Sequence, residues 1–439
     1  MPSNPILPIF PKTAVIGPDN RLSIGGIEAA ALAKTYGTPL YVFDEQTLRS
    51  QCRSYKQEFG KRYPSVQVLY ASKALLLAPL VKLIAEEGLG LDVVSGNEAA
   101  IARAAGLPAE RAYFHGNNKT PDELELALKW KIGRIVVDNF HELKLLDELA
   151  AKAKRKQDIL LRISPGVDPH THHKTTTGIT DSKFGFTLEN GQAMEAVRLA
   201  QEARSLNLIG IHIHLGSPIY EVAPYAEGIN VIFGFIAKAR DKHGLKLLEF
   251  SPGGGFPIRY VVDKAPPPLA NYAETITAAL KAACKRHKFD LPKLVLEPGR
   301  SIVGRAGVAL YTVGATKTIP GVRKYVSVDG GMGDNIRPAI YGSKYEAFVA
   351  NRVESKEREK VTIAGKYCES GDVLIKDYKL PKVRAGDIIA IPASGAYCIA
   401  MSSNYNAVSR PAIVLVNKGR SKLWRRRETA EDLMRNEVL

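Results

Sequence analysis

One lysine at a strand-to-helix junction is the first residue in this chain whose setting suggests chemistry. In VLYASKALLL the stretch around Val66, Val68, Leu69 and Tyr70 reads as a buried strand, and an Ala/Leu run at helical spacing follows. Lys73 lies between the two. Apolar flanks disfavour a charged amine and lower its pKa, which is the state a Schiff-base lysine needs. A lysine that only extends its amine out of a strand end is the plainer reading. Further on, Asp92 ends GLDVV, and Ser95 with Glu98 has the spacing of a capping box. HGNNKT, 115–120, follows another apolar run and could hold a ligand or simply turn.

Other candidates come from the same kind of position. In GIHIHLGS, alternation along a strand puts His212 and His214 on one face at its C-terminal end. An imidazole there can stack on a flat ring, act as acid or base, or pack in the core. SPGGGFPI holds Gly253, Gly254 and Gly255, which let backbone N–H groups approach an anion with no side chain in the way. LEPGRSIV brings Glu297 and Arg300 to the end of a strand. A carboxylate there can hold a ring nitrogen protonated, and an arginine can clamp a phosphate or carboxylate. The two could also simply pair. His170, His172 and His173 lie close together, but too few other ligands accompany them, so no metal is expected. Taken together, a lysine, a phosphate cradle, a stacking histidine and a ring-facing glutamate describe a pyridoxal phosphate site.

The elements that must position these residues follow from periodicity. Short apolar runs recur near Val68, 91–94, 112–114, 134–137, 159–163, 209–213, 247–250 and 294–296, with amphipathic helical segments between most of them. This alternation predicts a parallel sheet with outer helices; eight runs suit a (β/α)8 TIM-type barrel, although an open doubly wound sheet has the same pattern. In a barrel the candidates above fall at the C-terminal strand ends, where active sites form. After about Gly299 the texture changes to strands separated by turn signals, which predicts an antiparallel β domain, a sandwich or small barrel. Its glycine-rich polar segments carry Asp329, Asp334, Arg337 and Tyr341, then Cys368, Glu369 and Asp372, then Tyr397 and Tyr405. They read as loops facing a second surface. The expected division is an N-terminal segment over 1–44 that packs with the β domain, a barrel over 45–300, and a β domain over 301–439.

Composition narrows the class. The chain has 439 residues, 45% of them hydrophobic and 24% charged, as in an ordinary globular protein. The prolines in MPSNPILPIFPKTAVIG break any targeting-type apolar core, and no run is long enough to span a bilayer. Four scattered cysteines suit a reducing cytoplasm. The net charge of +16 is densest over 418–427, where the basic residues read as a solvated face rather than a nucleic-acid site.

In this order the segments resemble the diaminopimelate decarboxylases, from YGTPLYVFDE (36–45) to PAIVLV (411–416). EPGRSIV, CESGDVL and SSNYN are the specific motifs. The resemblance implies an alanine-racemase-like fold and pyridoxal phosphate attached to Lys73. It implies His214 stacked on the cofactor ring, Glu297 against the ring nitrogen, and Asp92 and Tyr397 nearby. Ser217, Gly253, Gly254, Gly255, Gly299 and the backbone around Arg300 would hold the phosphate. Arg300, Arg337, Tyr341 and Tyr397 would bind the substrate, with Glu369 on its distal ammonium. Cys368 would act in catalysis from the partner subunit of a head-to-tail homodimer. The implied reaction converts meso-diaminopimelate to L-lysine and CO2, the last step of lysine biosynthesis. Related decarboxylases of ornithine, arginine or carboxynorspermidine lack a second carboxylate to bind, and Arg337 with Tyr341 argues for one. A non-catalytic regulatory homologue would tend to lose Lys73 or Cys368, and both are present. Two departures stand near the cofactor positions: Leu75 replaces a common Asn, and Pro218 follows Ser217 where Gln is common.

Overall fold

The structure is a computed structural model that describes residues 7–168 and 182–438, so His170, His172 and His173 lie outside the described residues. Contacts divide it into two compact units.

The first unit, Gln51–Pro257 with Pro266–Gly299, is the barrel. Its strands are β1 (Val66–Ala71), β2 (Gly90–Val93), β3 (Ala112–Phe114), β4 (Arg134–Val137), β5 (Gln157–Ser164), β6 (Leu206–His212), β7 (Glu249–Gly253) and β8 (Lys293–Leu296). Each runs parallel to the next, and β8 pairs back onto β1, which closes the sheet. Helices alternate with the strands because the sequence punctuates them. Thr120 and Glu123 form a capping box that starts Pro121–Trp130, and the Asn139 side chain caps Phe140–Lys152. Leu69, Tyr113, Val136, Leu160, Ile209 and Val295 form one buried cluster from six of the strands, so the interior is packed rather than open.

At the N-terminal strand ends Glu249 is buried and satisfied three ways: Arg134 at 2.9 Å, Lys293 at 2.8 Å, and the Tyr113 hydroxyl at 2.8 Å. Burial disfavours its charge, but these partners outweigh burial and hold the carboxyl below the usual range. The barrel's polar residues are thus split, with a structural ion cluster at this end and the candidate chemistry at the other. Two strands differ most from the expectation, and β6 starts three residues earlier, at Leu206. β7 starts two residues later and runs through Ser251, Pro252 and Gly253, because Gly253 keeps a parallel pairing with Leu296 after a register shift.

The second unit takes the described residues up to Ser50, Ile258–Ala265 and those from Arg300 on. Its main sheet runs in the order Val373–Pro381, Arg358–Ala364, Arg323–Val328, Gly307–Ile319, Leu40–Asp44, Ala412–Asn417, Arg420–Arg425. Most pairings are antiparallel, but Leu40–Asp44 lies parallel to Ala412–Asn417, and Arg323–Val328 parallel to Arg358–Ala364. Its core includes Phe10, Leu22, Leu32, Val42, Leu310 and Val414. The strand Arg420–Arg425 is the one that composition hid: four of its residues are exposed, and it forms the sheet edge, where charged side chains oppose further pairing. Among the described residues no helix is long and apolar enough to cross a membrane.

Candidate active site

Lys73 sits in a 3-10 turn, Ser72–Ala74, directly after β1. The apolar flanks do not bury it. Ala74 and Leu75 pack inward, while the Lys73 side chain is 43% exposed and its Nζ lies 3.8 Å from Asp92 Oδ2. Desolvation by neighbouring apolar residues is therefore not what sets this amine apart; its charged partner is Asp92, at the end of β2. Burial raises the Asp92 carboxyl to about 7, against the pull of Lys73, and among the described residues neither carboxylate oxygen has a hydrogen-bond partner. The turn itself is pinned. Ser72 Oγ lies 2.6 Å from both the Asp92 carbonyl oxygen and Glu98 Oε2, and Glu98 Oε2 also accepts from the Val94 N–H. Ser95 caps the helix Gly96–Ala104 by accepting from the Glu98 N–H, but the expected box is not closed, because Glu98 Oε2 bonds the Val94 N–H and Ser72 instead of the Ser95 N–H. Leu75 contributes its backbone: its carbonyl accepts from the buried Tyr70 hydroxyl at 2.7 Å.

Glu297, just past β8, is buried at the same mouth and shares it with His115 and His212. Its Oε2 accepts from His212 Nε2 at 3.0 Å and its Oε1 from Ser251 Oγ at 2.8 Å. His115 Nε2 faces Glu297 Oε1 at 3.6 Å and Asp92 Oδ1 at 3.8 Å. Burial alone would raise the Glu297 carboxyl, but His212, His115 and Ser251 outweigh it and hold it below the usual range. Burial pushes His115 well below the usual imidazole range, so it is neutral near pH 7. Three donor atoms of His115, His212 and Glu297 lie within 4.8 Å of one another, as a metal would require. Lys73 and Arg162 place positive charge on the same group, however, which opposes a further cation and favours reading it as a hydrogen-bond network.

The glycine run lies beside it. The Gly253 N–H donates to Ser251 Oγ and the Gly254 N–H to His214 Nδ1 at 3.2 Å, so neither is open to an anion. Of the three, Gly255 alone has an N–H with no partner among the described residues. Its φ of +99° favours glycine, and a Cβ there would meet the Gly216 carbonyl at 2.5 Å. Tyr225 donates to the Gly254 carbonyl at 2.7 Å and fixes the loop. The Gly254 bond sets the plane of the His214 ring, and burial keeps that ring neutral. Ser217 follows in the same loop, half-buried. Gly299 is packed against Ala71, where a Cβ would lie 3.0 Å from both its Cβ and its carbonyl oxygen.

In the second unit the arginines form a cluster of their own. Arg300 donates to the Tyr260 hydroxyl at 2.6 Å and lies over the Tyr397 ring at 4.7 Å. Arg337 is 8% exposed and lies over Tyr341 at 5.4 Å and Tyr397 at 5.6 Å. It donates to Tyr345 and Ser343, and among the described residues no carboxylate pairs with it. Tyr397 has a φ of +60°, a strained conformation for a tyrosine that a site can exploit. Cys368 and Glu369 lie on a separate exposed loop. There the Cys368 N–H donates to Asn406 Oδ1, and the Tyr405 hydroxyl donates to the Cys368 carbonyl. Buried Asp372 ties that loop to the 329–335 segment by accepting from the Met332 and Tyr367 N–H groups.

Several residues have a place here that sequence reading did not give them. Arg162, on β5, is buried, faces Asp138 at 3.9 Å and stacks on Phe184 at 4.3 Å; a lone charge inside ILLRIS was the available signal. Tyr260 lies among the arginines although it belongs to a short segment between β7 and β8, and nothing in its sequence pointed there. Lys119 of HGNNKT is a structural residue: its ammonium is buried and bonded to Glu142 and to the Gly116 and Val136 carbonyls.

A parallel barrel with a lysine, a carboxylate pair and a glycine loop at its C-terminal mouth is the architecture of pyridoxal-dependent decarboxylases. The family model described as "Pyridoxal-dependent decarboxylase, pyridoxal binding domain" matches residues 45–304. The chain is 49% identical to a diaminopimelate decarboxylase of Bacillus subtilis over 94% of each chain, and 44% identical to one of Synechocystis over 98% of this chain and 93% of the other. A crystal structure of diaminopimelate decarboxylase from M. jannaschii in co-complex with L-lysine superposes with a TM-score of 0.92, at 36% identity over 98% of both chains. The chain belongs to the diaminopimelate decarboxylase family.

Proposed function

We propose that this protein decarboxylates meso-diaminopimelate to L-lysine and CO2 with pyridoxal phosphate, in the cytoplasm, as a homodimer. The observation that carries the choice of substrate is Arg337. It is a buried guanidinium held by hydroxyls and ring faces, with no carboxylate partner among the described residues. A substrate with a second carboxylate supplies the missing charge, whereas ornithine or arginine would leave the guanidinium unpaired. The M. jannaschii structure in co-complex with L-lysine is compatible with a lysine product.

The residues at the barrel mouth fit the cofactor. The Asp92 oxygens, which have no hydrogen-bond donor among the described residues, the open Gly255 N–H and the half-exposed Lys73 side chain are the groups that a charged ring, a phosphate and an aldehyde would engage. In this reading Lys73 would attach the cofactor, His214 would stack on its ring and Glu297 would face its nitrogen. Gly255, Ser217, Gly299 and the backbone at Arg300 would hold the phosphate, while Gly253 and Gly254 shape the loop. When bound, pyridoxal phosphate supplies an electron-poor ring that takes up the electron pair left by departing CO2. Glu297, kept ionised, favours a proton on that ring's nitrogen. Asp92 lies beside Lys73 and stabilises the protonated amine. Arg300, Arg337, Tyr341 and Tyr397 orient the carboxylates, and Glu369 takes the distal ammonium. A proton then returns to the α-carbon from Cys368 or Lys73. The exposure of Cys368 and Glu369 suits residues contributed to a partner's site.

Arg337→Ala tests the reading. A charge-assisted hydrogen-bond pair in a buried site is worth about 2–3 kcal/mol, so kcat/KM for diaminopimelate should fall roughly 30- to 150-fold. The weak reaction with L-ornithine should not fall in parallel. Equal losses on both substrates would remove Arg337 from substrate recognition.

A further inference from the structure

Glu297 is anchored from both neighbouring strands of the barrel mouth, and its anchors have no assigned role. Ser251 on β7 donates to Oε1 at 2.8 Å, and His212, the last residue of β6, reaches Oε2 at 3.0 Å. Both are buried, with 1% exposure each. The tautomer of His212 follows from its other nitrogen. Nδ1 is buried with no hydrogen-bond partner among the described residues, and a bare acceptor there costs less than an unmet N–H. The Nε2 nitrogen therefore carries the proton donated to Glu297. His115 supports the pair from the side: its ring meets that of His212 edge-on, at 4.8 Å and 69°, and its Nε2 lies between Glu297 and Asp92.

The other charged or titratable groups acting on this network are Lys73, Asp92, Glu98, Arg162, His214 and, from inside the barrel, Tyr113. Among the described residues the hydrogen bonds to the Glu297 carboxylate come from His212 and Ser251, and these two donors account for its orientation. A buried carboxylate that loses a donor climbs toward its neutral form. It then no longer favours a proton on a facing ring nitrogen.

We propose that His212 and Ser251 are the positioning residues that keep Glu297 ionised and aimed, with His115 as the buttress of His212, so that together they set the protonation of the cofactor's ring nitrogen. This rests on the reading above that Glu297 faces that nitrogen.

The test uses the full chain loaded with 15N-labelled pyridoxal phosphate, and reads the ring nitrogen's shift against pH without any turnover. In the unaltered protein the nitrogen should stay protonated through pH 8. His212→Phe should lower its apparent pKa by at least one unit, a tenfold loss of the protonated fraction at high pH, and Ser251→Ala should move it the same way. His212→Gln, which can still donate, should restore most of the shift. An unchanged nitrogen pKa in both His212→Phe and Ser251→Ala would overturn the proposal, as would His212→Gln behaving like His212→Phe. If His212→Phe does not fold, Ser251→Ala and His212→Gln decide the matter. A nitrogen already unprotonated in the unaltered protein would instead strike at the placement of Glu297, and lysine release by that protein reports separately on the overall function.

Discussion

Lys119→Met should destabilise the barrel out of proportion to the loss of one surface-type charge. Its ammonium is buried and meets three acceptors: Glu142 Oε1 at 2.7 Å and the Gly116 and Val136 carbonyls at 2.8 Å each. After substitution Glu142 stays buried, with the Asp138 N–H at 3.1 Å and the Asn139-capped helix end around it. Breaking a buried pair from one side costs about 3–5 kcal/mol, because the surviving charge is left uncompensated. For a unit of this size each kcal/mol is worth roughly 2–4 °C, so the barrel's thermal midpoint should fall by at least about 6 °C. Burial already raises the Glu142 carboxyl, and without Lys119 it rises further. A protonated Glu142 costs little to bury, so the deficit should shrink as pH falls. Lys119→Met combined with Glu142→Met should recover most of the loss. Calorimetry at pH 8 and pH 5 reads all of this. A single variant within about 1 kcal/mol of the unaltered protein, or a double variant as unstable as the single one, would refute the reasoning.

Other predictions follow from the same geometry. Asp92 has its carboxyl raised to about 7 in the folded chain, above the unfolded value near 4, so the fold binds this proton more tightly. Its contribution is therefore fully favourable at low pH and is lost as pH rises from 4 to 7. Asp92→Asn should flatten the pH–stability curve of the cofactor-free chain by a few kcal/mol over that window, and parallel urea-unfolding curves at pH 5 and 8 would contradict this. Mixed preparations of inactive Lys73→Ala and Cys368→Ala chains should regain part of the activity, since each heterodimer would hold one intact site. No regain in confirmed heterodimers would place Cys368 in the same chain's site as Lys73.

The barrel was legible because its signal is redundant: eight apolar runs, each separated by helical periodicity and by caps such as Thr120–Glu123, point to one architecture. The strand ends were legible for the same reason, since Lys73, Asp92, His212 and Glu297 each follow an apolar run that fixes which end of the barrel they occupy. Periodicity does not encode which side chains meet across the mouth. The contact of His212 with Glu297 joins residues 85 apart in the chain, and that of Ser251 with Glu297 joins residues 46 apart. The use of the Gly253 and Gly254 N–H groups inside the loop is likewise a matter of local geometry that a glycine run does not announce. The flanks of Lys73 misled because apolar residues in a turn point away from the lysine they adjoin. Arg420–Arg425 was missed because an exposed edge strand needs no alternation, only a partner strand.

The central claim is the reaction. The measurement that tests it most directly is release of CO2 and L-lysine from meso-diaminopimelate by the purified protein with pyridoxal phosphate, beside L-ornithine and L-arginine as controls. The account predicts stoichiometric CO2 and L-lysine from diaminopimelate and little turnover of either control. Turnover of ornithine or arginine in preference to diaminopimelate would contradict it.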